Sequence, residues 1–182
     1  MADDMLKCYA YRHPDLLSGY CKDNVLTCDW KGLLTHKNTA GVSEGRKMAC
    51  KNQDTQCYAY RYPDLLKAMC NSDINRCRWI DLLSHFATSG RFEGRELKCD
   101  TAEVMCYIER NQDLKQALCS GETSQCQWPR VVDHLTNNAQ TEGRPMGCAP
   151  PSPPPPPPSP SPCPSRMNLD QQLHPPLRQW RV

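Results

Sequence analysis

The chain has 182 residues, with 22 Lys and Arg against 20 Asp and Glu, a net charge of +2, 13 cysteines, 17 prolines and 7% aromatics. So even a balance excludes both the broad basic face that nucleic acid requires and an acidic shell, and no apolar run reaches the about 18 residues needed to span a bilayer. The few aromatics beside so many cysteines indicate that apolar burial is not the main stabilising device, and free thiols in such number do not suit a glutathione-buffered compartment unless metal binds them.

Residues 1–7 form an N-terminal lead, and the opening MADDMLKC is charged where a secretory signal would be apolar. The numbering is therefore expected to begin in a processed chain, unless the route of export lies elsewhere. From residue 8 the chain repeats itself. CYAYRHPDLLSGYC, Cys8 to Cys21, returns as CYAYRYPDLLKAMC, Cys57 to Cys70. The cysteines fall at Cys8, Cys21, Cys28, Cys50, then Cys57, Cys70, Cys77, Cys99, then Cys106, Cys119, Cys126, Cys148, a period of 49 three times over. Tyr9, Arg12, Asp15, Trp30 and His36 recur at the same period, as does the triplet Glu-Gly-Arg at Glu44, Glu93 and Glu142. Self-similarity at a fixed period marks repeated structural units, here residues 8–50, 57–99 and 106–148.

In the first segment of a unit, Pro14 or Pro63 suits the first turn of a helix, with Asp15 or Asp64 favouring that N-terminus. The third copy reads Asn111-Gln112-Asp113 and loses the proline. In the second segment Trp30, Leu33, Leu34 and Lys37 stand at i, i+3, i+4 and i+7, one face of a helix, and Trp79, Leu82 and Leu83 do the same. Gly41 and Gly90 follow where a left-handed terminating residue is wanted, with Ala139 in the third copy. The Glu-Gly-Arg then turns the chain. Each unit reads as a helical hairpin of about 43 residues, too small to be stable unaided.

Four cysteines per unit allow three pairings. Antiparallel helices place Cys21 and Cys28 at the turn and bring Cys8 to Cys50 at the open end, so the nested pattern Cys8–Cys50 and Cys21–Cys28 is favoured, with its counterparts in the other copies. A bridge between units, Cys50 to Cys57, has the same seven-residue step and stays open as a rival.

Beyond Cys148 lie 13 of the 17 prolines. The run of residues 149–165 is expected to form a polyproline II rod of about 3.1 Å per residue. Cys163 inside it has no counterpart in the repeats, which leaves it for an intermolecular disulfide. No Asn-x-Ser/Thr sequon occurs, so sugar would be O-linked. Residues 166–182 carry no assigned role.

The bland readings of the candidate chemistry are the stronger ones. His36, His85 and His134 sit near cysteines, but every short pair is C-x6-C where zinc sites use C-x-x-C. They are expected to pack at the helix face and bond to backbone. A cysteine nucleophile would have to occur three times with every cysteine matched. Neither a catalytic residue nor a cofactor or metal is expected, and the chain is read as no enzyme. Arg12 and Asp15, with Glu44 and Arg46, suit helix-end hydrogen bonds or an ion pair joining the turn to the first helix. Tyr9, Tyr11 and Trp30 would form a sugar-stacking face if exposed; in so small a unit they are expected to be core.

The unit C-Y-x-x-R-Y-P-D-L-L…C…C-x-W-x-x-L-L-x-H…G-x-x-E-G-R…C resembles the cysteine-bearing repeats of cell-surface and secreted proteins of algae and other protists. It covers residues 8–148, and the third copy departs from it at Ile108-Glu109 and Pro129. The run PPSPPPPPPSPSP resembles the hydroxyproline-rich rods of volvocine algal and plant extracellular-matrix glycoproteins. That resemblance implies hydroxylation and O-glycosylation at Pro150, Pro151, Ser152, Pro153, Pro154, Pro155, Pro156, Pro157, Pro158, Ser159, Pro160, Ser161 and Pro162. The expected whole is an all-α array of three disulfide-stapled hairpins and a polyproline II tail, extracellular, with no membrane span and no nucleic acid. Its expected partners are copies of itself, other matrix or filament proteins and covalent glycans. The alternative is a carbohydrate-binding module on a stalk.

Overall fold

The computed structural model describes residues 3–148, which are all helix and turn: ten α-helices and six disulfides, with no strand among the described residues. The polyproline rod, Cys163 and the expected modification sites from Pro150 to Pro162 lie outside the described residues.

The first bead contains α1 (Asp4–Arg12), α2 (Pro14–Cys21), α3 (Trp30–Asn38) and the short α4 (Ala40–Ser43). The second contains α5 (Gln53–Arg61), α6 (Pro63–Cys70) and α7 (Trp79–His85), continued by a wide π-helical turn, Phe86–Gly90. The third contains α8 (Ala102–Arg110), α9 (Gln112–Cys119) and α10 (Trp128–Asn137). Each bead is thus built on three main helices, whereas the sequence reading gave a two-helix hairpin. The helix carrying the bead's first cysteine starts upstream of it, so residues 4–7 belong to α1 and not to a lead. Asp3 caps α1 by accepting from the Met5 N–H, and Asn52 and Thr55 form a reciprocal capping box at α5.

The break between the first two helices has a local cause. A residue before proline is disfavoured in the α region, and His13 (φ −116°, ψ 91°) and Tyr62 (φ −117°, ψ 90°) are extended. The third bead breaks at the same place without a proline. Asn111 donates its side-chain amide to the Tyr107 carbonyl at 2.8 Å, and this local bond competes with continuation of the helix.

The second helix of each bead ends on a left-handed residue that is not glycine: Lys22, Asn71 or Ser120. A 3-10 turn follows (Val25–Thr27, Ile74–Arg76, Thr123–Gln125), and the short disulfide closes around it. The rings are Cys8–Cys50, Cys57–Cys99 and Cys106–Cys148 at a separation of 42, and Cys21–Cys28, Cys70–Cys77 and Cys119–Cys126 at a separation of 7. No disulfide joins Cys50 to Cys57.

The beads stack through one contact used twice. The α1 helix packs on α7 and on the turn after it, and α5 packs along α10. Ala87 of the second bead enters the core of the first, beside Leu17 and Leu33. Tyr60 and Cys57 of the second bead pack into the core of the third, built on Val104, Ile108, Val131 and Val132. The second bead therefore completes the apolar interior of both its neighbours, while its own core is built from its own residues, as in a repeat array whose stability is shared between units and interfaces.

Candidate functional site

The residues that recur with the cysteines converge at the place where the chain returns from the third helix. Arg12, at the end of α1, donates to the carbonyls of Ala49 (2.9 Å) and Cys50 (3.4 Å). Arg61 holds the carbonyls of Glu96 (2.8 Å), Lys98 (2.7 Å) and Cys99 (3.2 Å), and Arg110 holds that of Gly147. These carbonyls precede or belong to the bead's last cysteine, so the arginine seats the segment that the long disulfide then locks.

The arginine of Glu-Gly-Arg ties the same segment to α2. Arg46 pairs with Asp15 at 2.8 Å, Arg95 with Asp64 at 2.8 Å and Arg144 with Asp113 at 2.7 Å, each guanidinium also gripping the glutamate of its own triplet. The bonds from Arg144 hold the Asp113 carboxyl below its ordinary range. For Asp15, burial pushes upward, but the bonds from Arg46 outweigh it and the net shift is down. The glycine between them takes the left-handed conformation that closes the turn after the last helical stretch: Gly45, Gly94 and Gly143 have φ of 63°, 73° and 63°, and Gly45 follows Glu44, the C-cap of α4. The Arg46 N–H reaches back to the Gly41 carbonyl and the Gly45 N–H to the Val42 carbonyl, which closes a Schellman motif.

Gly41 and Gly90 accordingly do not terminate a helix in the left-handed region. They leave room for a buried hydroxyl. A Cβ on Gly41 would lie 2.1 Å from Tyr9 Oη, and one on Gly90 equally close to Tyr58 Oη. That hydroxyl shares a hydrogen bond with a histidine Nδ1: Tyr9 with His36 at 3.0 Å, Tyr58 with His85 at 3.0 Å, Tyr107 with His134 at 2.8 Å. The expected histidine-to-backbone bond is replaced by this side-chain pair. All three tyrosines are fully buried, which pushes their hydroxyls above the ordinary value. In the third bead α10 stops at Asn137 and Ala139 lies beyond it, buried, with the Tyr107 bond intact.

This geometry dissolves the aromatic face considered from the sequence. Tyr9 is interior, and Tyr11 and Trp30 are half-buried against the first core. The residues that break the first two helices were not singled out by their repetition because they differ, yet all three tie back to the returning segment: the His13 ring to the Lys47 carbonyl at 3.1 Å, the Tyr62 hydroxyl to the Glu96 N–H at 2.8 Å, Asn111 Oδ1 to Arg144 at 3.2 Å. Burial lowers the His13 pKa from its ordinary value.

Between the first two beads lies a cavity of about 680 Å³ lined by Arg12, Phe86, Arg91, Arg95, Lys98 and Thr101, among others. Nε and Nη1 of Arg12 and Oγ1 of Thr101 have no hydrogen-bond partner there, and the same atoms are closed off from the cavity's solvent. Asp54 faces Arg12 at 3.7 Å, and burial lowers the guanidinium pKa. Among the described residues no three His, Cys, Asp or Glu side chains are grouped to hold a metal ion, and no helix is long and apolar enough to cross a membrane. Comparison with known protein families, with curated proteins and with solved structures finds no match to this chain.

Proposed function

We propose that this chain is a structural extracellular glycoprotein, a subunit of an algal cell wall, matrix or surface filament such as a ciliary hair, and not an enzyme. In this reading three disulfide-closed helical beads of 49-residue period present like contacts at intervals. A polyproline II rod over residues 149–165, hydroxylated and O-glycosylated, spaces or tethers the array, and Cys163 links it covalently to a partner chain. Copies of itself and other matrix proteins are its partners.

One observation carries the reading. In all three beads the recurring polar side chains are engaged with one another or with backbone: tyrosine with histidine, arginine with carbonyl, arginine with aspartate. Residues repeated for a reaction or a ligand would be expected to stand free in at least one copy. Six disulfides also fit an oxidising compartment.

The test is the intact mass of the native protein, before and after reduction and alkylation. The expected result is a deficit of two hydrogens per disulfide together with heterogeneous increments of oxygen and of pentose or hexose on the tail. Thiols that alkylate without reductant, with a bare tail, would overturn it.

A further inference from the structure

The bead-to-bead contact has two halves, and among the described residues each end of the array leaves one half uncovered. On the third-helix side, Leu83 of α7 and Val132 of α10 are 0% and 1% exposed beneath the preceding bead, whereas Leu34 at the same position of α3 is 42% exposed. The stripe Lys31, Leu34, Thr35, Asn38 is open to solvent along its length, while its counterparts in the other two beads are buried or half-buried. On the first-helix side, Cys8 and Cys57 are fully buried under the following bead, but Cys106 is only half-buried and Glu109 is exposed where Tyr11 and Tyr60 are half-buried. Lys31 and Lys37 make the α3 end basic. Glu103 and Glu109 give the α8 end carboxylates, Glu109 being paired at 2.8 Å with Lys115 of its own bead.

We infer that the occupant of each end face is a second copy of this chain, the α3 face of one molecule seating on the α8 face of the next and so continuing the α1–α7 and α5–α10 contacts across the molecular boundary. The two faces are different patches, so the association is heterologous and does not close on itself: it grows. Glu109 in place of tyrosine makes the joint between molecules more polar than the joints within one, hence weaker and governed by charge as well as by Leu34. This deepens the structural reading and rests on it, naming how the subunits meet.

The test is sedimentation of the oxidised full chain over a concentration series, with Cys163→Ser to remove covalent linkage. The expected result is a mass that climbs past dimer without a plateau. Leu34→Asp blocks one end and Glu109→Lys the other; each is expected to weaken association by at least about tenfold, with helicity and disulfides unchanged because both positions are exposed. A one-to-one mixture of the two variants retains one intact pair of faces and gives a discrete dimer. A single monomer mass at every concentration, growth untouched by either substitution, or a monomeric mixture would each overturn the inference. The glycan and disulfide masses are read separately, so failure here leaves the structural-glycoprotein reading to stand or fall on its own.

Discussion

Gly90→Ala tests whether the Tyr58–His85 bond is the interior tie of the second bead. The added Cβ would sit 2.1 Å from Tyr58 Oη and 3.3 Å from both Tyr58 Cζ and His85 Nδ1. The ring has little room to retreat, because Tyr62 and Phe86 stand edge-on to it at 5.1 Å and 5.7 Å between centroids. Overpacking of this kind costs about 1–3 kcal/mol, and loss of the buried hydroxyl's partner adds about 1–3 kcal/mol. The better helix propensity of alanine offsets about 1 kcal/mol, so the net loss is about 1–5 kcal/mol. Removing the hydroxyl removes the obstacle: in the Tyr58→Phe background the same change meets only contacts at 3.3 Å and is expected to cost less than about 1 kcal/mol. Amide hydrogen exchange at Leu82, buried in this bead's own core, reports its opening. Equal losses in the two backgrounds would refute the reasoning, since the collision would then not be with the hydroxyl.

The two disulfide rings differ in the entropy they remove from the unfolded chain. Closing 42 residues is worth about 4 kcal/mol and closing 7 about 2.4 kcal/mol in the chain-entropy model, so Cys57→Ala with Cys99→Ala is expected to lower second-bead stability more than Cys70→Ala with Cys77→Ala; the reverse order in exchange or urea midpoints would refute this. Acid is expected to loosen the beads through the Arg–Asp ties. Asp15 and Asp113 titrate below the ordinary value of 3.8, so their contribution is present above that pH and is lost as pH falls through the lower folded values. Urea midpoints measured down this range check it, and Asp113→Asn flattens the third bead's share.

The period and the cysteine positions were legible because repetition needs no structural knowledge, and antiparallel helices then favoured the long and short rings. What was not legible is instructive. The start of α1 was not legible because its first turn, Asp4–Lys7, precedes the first repeated cysteine, and only the cap at Asp3 signals it. Gly41 and Gly90 read as terminators because a glycine after a helical run usually is one. Their actual role is proximity to a tyrosine some thirty positions earlier, which no local pattern encodes. Glu109 was visible as a departure from the repeat, but only the stacking of α5 on α10 shows that its position lies on the face by which beads meet. The Arg46–Asp15 tie was legible as an ion pair joining turn to helix, since its members recur together.

The long disulfides also decide how the array carries tension. A pull along the backbone enters a bead near its first cysteine and leaves through the sulfur bridge to its last, so the intervening residues and the short ring inside them bear no load. Between Cys8 and Cys148 the tension runs through a path of three bridges of 5.1 Å, 5.2 Å and 5.3 Å between Cα atoms and two seven-residue connections. At about 3.6 Å per residue that path stretches to about 65 Å, where the same length of reduced chain would run to about 500 Å. The oxidised beads therefore make a nearly inextensible strand whose slack is sealed off by covalent bonds.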